Sequence, residues 1–361
     1  MAVVKTPSGV LDLAFSPHDP ELLLATLATG QILAYQVRRG RYTIKHLSTH
    51  TLSRNAAIFN LEFSPTSLTL AAATLSDGTV HLLDIPRQPR RDNSIQPLRI
   101  LAGHSSPVVR AAFTADGKQL FTSDQNGTII AWNVSNPQKP RERWRDDTRS
   151  SAVTSLLSWP APHAADVDRK RRLLLTGTAG GELRILDLSS HNRPPLSRQT
   201  LDLGGQPWRL AALPPVPNLD EIDGLGAGAF SAAARPDVET DPEVVGILAA
   251  AGEGGARLLI HKQKFEEIFL PRRDGSDIVD WTTSDGVKMD HEGKEKQYWW
   301  YDLADMIEDH KDGDVYAGDA VAMVDYDPLF KDAGEQRLRR GWRLVSVGRD
   351  GTMCFWQVYV E

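Results

Sequence analysis

The chain has 361 residues, 41 basic and 47 acidic, for a formal net charge of −6. That balance gives no electrostatic case for nucleic acid or an anionic membrane, and one cysteine, Cys354, excludes an intramolecular disulfide and a cysteine-based zinc site. Met1 to Val10 has neither a basic nor an apolar leader pattern, and no apolar run nears the ~18 residues of a membrane span, so a soluble cytosolic protein is expected.

In chain order, the sequence opens on a short strand, Ala2-Val3-Val4-Lys5, and then repeats itself. Leu11-Asp12-Leu13-Ala14-Phe15-Ser16-Pro17 aligns without gaps on Phe59-Asn60-Leu61-Glu62-Phe63-Ser64-Pro65. Each leads, 15 residues after its phenylalanine, to a turn glycine, Gly30 or Gly78. A third copy runs from Val109 to Phe113 and on to Asn126-Gly127-Thr128. Looser copies run from Ser155 to Gly181, from Trp208 to Gly255, and from Met323 through Pro328 to Gly351.

In every copy a bulky apolar residue follows the glycine by five positions: Tyr35, Leu83, Trp132, Leu186, Ile260 and Trp356. Asp-Gly, Asn-Gly and Gly-Gly pairs supply the positive φ of tight hairpins, and the flanking runs alternate as strands do. Each unit therefore reads as a small antiparallel sheet that must stack in a ring to bury both faces.

The first gaps between turn glycines, 48 and 49 residues, fit one four-stranded blade plus a loop. The last two, 74 and 96 residues, are too long for a plain blade. They contain a loop insertion at 214–243, rich in Pro, Gly, Ala and Asp, and an insertion or irregular blade at 265–319. The second carries Tyr298-Trp299-Trp300-Tyr301 and a short helical pattern from Leu303 to His310. The expected fold is all-β: one WD-repeat β-propeller over 1–361, with six recognisable blades and an irregular or incomplete seventh.

Several segments are narrower than a generic WD repeat. Val10-Leu11-Asp12-Leu13-Ala14-Phe15-Ser16-Pro17 resembles the first clear repeat of the eukaryotic diphthine methyl esterases, WD-repeat members of the diphthamide pathway. Leu203-Gly204-Gly205-Gln206-Pro207-Trp208-Arg209 is similar to that family's Gly-Gly-x-Trp-Arg segment, with one extra residue. His310, followed by Ala322-Met323-Val324-Asp325-Tyr326, resembles its His…Tyr-Gly-Ala-Asp-Trp segment. The chain departs from the family where Gly103 to Val109 lacks a Glu-Ala-Trp, where no histidine precedes Ala152-Val153, and where the N-terminal region that builds an additional blade is absent.

The resemblance implies hydrolysis of the methyl ester of methylated diphthine on translation elongation factor 2, the protein substrate, by a cytoplasmic monomer with no cofactor, no metal and no nucleic-acid or membrane partner. The fold alone implies instead a non-catalytic interaction scaffold, because fold does not give function. No Gly-x-Ser-x-Gly elbow and no His-Glu-x-x-His spacing occurs.

The repeat register supplies the candidates. Residues before the Leu13/Phe15-type pairs face the channel: Asp12, Asn60, Arg110, Ser155, Arg209 and, in the last copy, Met323. Such a polar ring can hold an anionic or zwitterionic group, or it can be a water-filled, charge-balanced channel. Trp208 is core packing or a rim aromatic for substrate, and Ser155 has no base beside it in sequence. His310 and Asp325 are the catalytic candidates, with Asp325 read in the register of Glu62; His104 reads as a structural Gly-His pair within its blade.

Overall fold

A computed structural model describes residues 4–38, 43–87, 89, 94–136, 140–145, 152–159, 173–188, 196–202, 206–212, 228–230, 245–251, 255–261, 287–289, 295–302, 315–326, 338–348 and 352–360. After strand β1 (Val4–Lys5), the first sheet is β2 (Val10–Phe15), β3 (Leu22–Leu27), β4 (Gln31–Arg38) and β5 (Thr43–Thr51). The second is β6 (Ile58–Phe63), β7 (Leu70–Leu75), β8 (Thr79–Asp84) and β9 (Gln96–Ala102), and the third β10 (Val108–Phe113), β11 (Gln119–Asp124), β12 (Thr128–Asn133) and β13 (Pro140–Arg145). The fourth is β14 (Val153–Trp159), β15 (Leu173–Thr178), β16 (Glu182–Asp187) and β17 (Leu196–Asp202).

The fifth sheet starts with β18 (Pro207–Ala212); β19 (Gly228–Phe230) belongs elsewhere. It continues with β20 (Val245–Ala251) and β21 (Gly255–His261), and its outer strands are β23 (Glu295–Asp302) and, beyond it, β22 (Val287–Met289). The sixth is β24 (Val315–Tyr326), β25 (Leu338–Gly348) and β26 (Thr352–Val360), with β1 paired onto β26 and β19 onto β24. Each innermost strand lies beside that of the next sheet, and β24 lies beside β2. Of the N-terminal strand anticipated at Ala2 to Lys5, Val4 and Lys5 form an outer strand of the last sheet.

Two sequence assignments change. The described parts of 265–319 form no sheet of their own: they supply β22 and β23 to the fifth sheet and the first residues of β24. The last repeat is also placed differently. Ala317 pairs with Val347 just after a register shift, as Asp12 pairs with Thr26, so it is Ala317 and not Met323 that takes the Asp12 position. Met323 lies opposite Gly341, further along a 12-residue strand. The helical pattern at Leu303 to His310 lies outside the described residues.

The five-residue offset from the turn glycines has a geometric basis. Tyr35, Leu83, Trp132 and Leu186 each sit at a register shift between the third and fourth strands of their sheets, and all four are buried. In the fifth sheet the pairing slips by one: Leu259 faces Ile247, as Tyr35 faces Leu23, so Leu259 and not Ile260 takes this place.

The core lies between sheets. Ala14, Leu24, Leu61, Phe63 and Ala73 join the first two, and Leu13, Phe15, Val345, Val347 and Met353 join the first and the sixth. Each such side chain contributes roughly 1.5–3 kcal/mol of burial, so the strands are held chiefly by neighbouring blades.

Gly30 shows how tightly the hairpins dock. Its φ is 74°, and a Cβ built there would come within 2.2 Å of the Ser53 carbonyl oxygen and 2.5 Å of that of Ala56. The same loop donates the Leu52 and Ser53 N–H groups to the Gly30 carbonyl. Gly9, by contrast, has nothing within 4 Å of such a Cβ. Gly30→Ala should therefore lower unfolding free energy by about 2 kcal/mol or more, while Gly9→Ala stays within about 0.5 kcal/mol, as read from urea denaturation monitored by circular dichroism.

Candidate functional site

Five innermost strands carry a register shift at one position: between Val10 and Asp12, Ile58 and Asn60, Val108 and Arg110, Val153 and Ser155, and Pro207 and Arg209. A bulge bends the strand and re-aims the next side chain. It therefore turns Asp12, Asn60, Arg110, Ser155 and Arg209 in a common sense, and all five are buried.

The bulge also frees backbone groups. The Asp12 carboxylate accepts from the Asn60 amide at 2.6 Å and from the Leu61 N–H at 2.9 Å. Asn60 Oδ1 in turn accepts the Ala111 N–H at 2.8 Å, so two partners fix the orientation of its amide. The first and second blades thus each cap an N–H of the next.

Arg110 cannot accept, and the pattern changes there. Its Nε donates to the carbonyl of Thr154 and its Nη1 to that of Phe59, both at 3.0 Å. Thr154 and Phe59 are the bulged residues of the flanking blades. Burial pushes the Arg110 guanidinium down to about 10, and Arg209 pushes the same way against the pull of Asp12 and Glu62. It is still a cation at neutral pH.

Arg209 reaches across to the first blade. Its Nη1 lies 3.2 and 3.4 Å from the two Asp12 oxygens, and its Nη2 lies 3.6 Å from Glu62. Sequence order had put those groups 197 positions apart. Asp12, Asn60, Arg110 and Arg209 therefore converge, as the repeat register had placed them, but they converge on one another. Two guanidiniums and two carboxylates form a braced, charge-balanced cluster.

Ser155 holds the same register in the fourth blade, fully buried, and its hydroxyl has no hydrogen-bond partner among the described residues. Trp208 is the bulged residue of β18; its side chain lies outside the described residues. His310 lies outside them altogether. Asp325 is not in the Glu62 register: it pairs with Arg339, while Asp319, opposite Val345, takes the position that Glu62 takes opposite Ala72. The Asp325 side chain, like His310, lies outside the described residues. Cys354 lies in β26, and its side chain is likewise outside the described residues.

The sequence reading missed Glu62, although its two-residue offset from Asn60 on an alternating strand was a usable signal. The Phe59 and Thr154 carbonyls carried no signal, because only the bulge exposes them.

The third blade contains a second buried network. His104 bonds through Nδ1 to Asp124 at 2.9 Å and through Nε2 to the Thr122 hydroxyl at 2.7 Å. Thr122 also accepts the Trp132 indole N–H at 2.8 Å. The other Asp124 oxygen accepts the N–H groups of Asn126 and Thr128, tying the network to the Gly127 hairpin. Burial raises the Asp124 carboxyl, but His104 and those two N–H groups outweigh it and hold the group below its ordinary value.

This histidine-to-tryptophan chain, closed over an Asn-Gly hairpin, coincides with a family match: residues 95–133 fit the WD domain, G-beta repeat. The chain is a WD40-repeat propeller. Its repeats are similar to the LST8 homolog of Drosophila melanogaster, 28% identical over 24% of this chain and 28% of that one. They are similar to the target of rapamycin complex subunit wat1 of Schizosaccharomyces pombe, 27% identical over 50% of each. The diphthine methyltransferase of the same yeast is 22% identical over 60% of this chain and 61% of that one. The chain spans less than two thirds of the length of each of these relatives. A chain of the crystal structure of the mitotic checkpoint complex shares the fold, with a TM-score of 0.52, 12% identity, and coverage of 99% of this WD40 propeller and 94% of that chain.

Two measurements follow from these networks. Asp12→Ala should cost about 3–5 kcal/mol by stranding Arg209 and the Leu61 N–H, and pairing it with Arg209→Met should recover about 1–3 kcal/mol relative to additivity; chemical denaturation of the four proteins of the cycle reads this. Thr176 takes the Thr122 position in the fourth blade, but Leu186 stands where Trp132 does and the Thr176 hydroxyl is buried without a partner. Thr176→Val should leave stability unchanged or raise it by about 1 kcal/mol, whereas Thr122→Val should lower it by about 2 kcal/mol or more, measured by thermal unfolding.

Proposed function

We propose that this WD40 propeller is a non-catalytic protein-interaction platform of the cytosol. One observation carries the reading. The strand β9 forms an edge of its sheet, and Leu98 and Ile100 on it are 55% and 59% exposed. Apart from Leu68, no other large apolar side chain stands so exposed among the described residues. An edge strand with adjacent exposed apolar side chains offers both backbone hydrogen bonds and apolar anchors to a partner. Of the candidate substrate groups of the channel, Asp12, Asn60, Arg110 and Arg209 are engaged in holding blades together.

A second reading is a diphthine methyl esterase acting on elongation factor 2, with Asp12, Asn60, Arg110, Ser155, Trp208 and Arg209 around the substrate and His310 and Asp325 as acid–base groups. The reach of the fission-yeast diphthine methyltransferase match, 60% of the chain, favours it. Water would add to the ester carbonyl and methanol would leave, which needs a base and an accessible oxyanion pocket. The burial of the Asp12 cluster weighs against that placement of the substrate.

The two readings separate in one experiment. Leu98→Glu combined with Ile100→Glu should leave the melting temperature unchanged and reduce at least tenfold the recovery of the stoichiometric partner that cross-links to wild type. The purified chain should release no methanol from elongation factor 2 bearing methylated diphthine. Methanol release at a catalytic rate would overturn the platform reading.

A further inference from the structure

The outer strands of the first two blades share a bulge. Leu82 pairs with Arg99 and Leu83 with Pro97, so Leu98 is the extra residue of β9, as Leu47 is of β5. Leu47 is packed against the core between the first two blades, whereas Leu98 is left exposed. The side chains that β5 exposes, Lys45, His46, Thr49 and Thr51, are all polar, while β9 exposes Pro97, Leu98 and Ile100.

The backbone of β9 alone holds a partner weakly. Pro97 has no N–H and Leu98 is bulged, so a regular ladder is open only from Arg99 to Ala102. Charge supplies what so short a ladder lacks. Residues 85–102 hold Arg87, Arg90, Arg91 and Arg99 against one carboxylate, Asp92, in a chain of net charge −6. The connection from β8 to β9, which carries three of these arginines, is anchored along its length. Ile85, Pro89 and Ile95 are buried, the Ser48 hydroxyl donates to the Pro89 carbonyl at 3.0 Å, and the Ile95 N–H donates to His50 Nδ1 at 3.3 Å. The positive charge is thereby tethered at the Gln96 end of β9, and Arg99 stands exposed within the strand itself. Against it stand Asp84, opposite Gln96, and Asp77 of the hairpin, which is bonded to the Thr79 N–H and hydroxyl. The arginines outnumber the carboxylates even with these two counted.

We infer that β9 receives an extended acidic segment of a partner protein, with apolar residues seated on Leu98 and Ile100 and carboxylates set against Arg99 and the arginine-bearing connection. This rests on the platform reading and adds the partner's chemistry to it. Strand alternation directs the partner's side chains in turn to the Ile100 face and the Arg99 face, so the segment alternates apolar and acidic residues. A second copy of this chain is a poorer occupant, because β9 against β9 brings two arginine-rich segments together.

Fluorescein-labelled peptides of equal length, alternating Val-Glu, Val-Lys or Gly-Glu, are titrated against the full chain with anisotropy as the readout. Val-Glu should bind about tenfold more tightly than either of the others, and its affinity should fall as salt is added. Arg99→Glu, at an exposed position, should weaken Val-Glu by about fivefold with the Tm unchanged, and Leu98→Glu with Ile100→Glu should abolish its binding. Failure of Val-Glu to bind, or equal binding by either of the other peptides, would overturn the inference. So would a dimer of this chain, seen by sedimentation, that Leu98→Glu with Ile100→Glu dissociates. The platform reading falls on separate results, retention of the cross-linked partner by that double variant or release of methanol.

Discussion

The buried carboxylate of Asp12 ties together three blades that the chain visits far apart. It takes an amide and a backbone N–H from the second blade and a guanidinium from the fifth. A carboxylate desolvated to this degree is tolerable only with several donors, so the positions of β6 and β18 relative to β2 are set by its bonding needs. Hydrophobic packing between sheets supplies the larger share of the free energy, but it is non-directional. The polar cluster adds what packing lacks, a unique angular relation between blades.

That cluster exists because of a backbone irregularity. In a regular strand the register residue and the N–H after it would be used within their own sheet or left facing solvent. The bulge after Val10, Ile58, Val108, Val153 and Pro207 redirects both, and it exposes the carbonyls of Phe59 and Thr154 to Arg110. One repeated defect thus converts each innermost strand into a donor and acceptor for its neighbours. The identity of the register residue then decides how the bond is made: Asp12 and Asn60 accept, Arg110 inverts the direction, and Ser155 falls short.

Much of this was legible in the sequence where the hairpin glycine and the strand ahead of it keep a constant spacing. That spacing put Asp12, Asn60 and Arg110 in one register and Tyr35, Leu83 and Trp132 in another, and the sheets agree. It failed where the spacing was interrupted. In the fifth sheet the offset from Gly255 misses Leu259 by one residue, and a one-residue slip exchanges the faces of a strand. In the sixth, β24 and β25 run well past the blade, so the apolar stretch at Met323 to Asp325 looked like the repeat start although Val315 to Ala317 carries the bulge. The bulges themselves leave no mark, since Leu11, Phe59, Val109, Thr154 and Trp208 share no residue type.

The third and fourth blades show what the repeat loses as it degenerates. In the third, Thr122 serves His104 and Trp132 at once, and Asp124 joins that network to the hairpin. In the fourth, Leu186 replaces the indole and Thr176 is left buried with an idle hydroxyl, next to a register serine in the same condition. Two unsatisfied hydroxyls among the described residues, each with a penalty of about 1–3 kcal/mol, leave burial in this blade poorly compensated by polar bonding. Selection for rigidity alone would favour apolar replacements at both sites. Thr176, opposite Leu156 within the sheet, has the absent tryptophan to account for its idle hydroxyl.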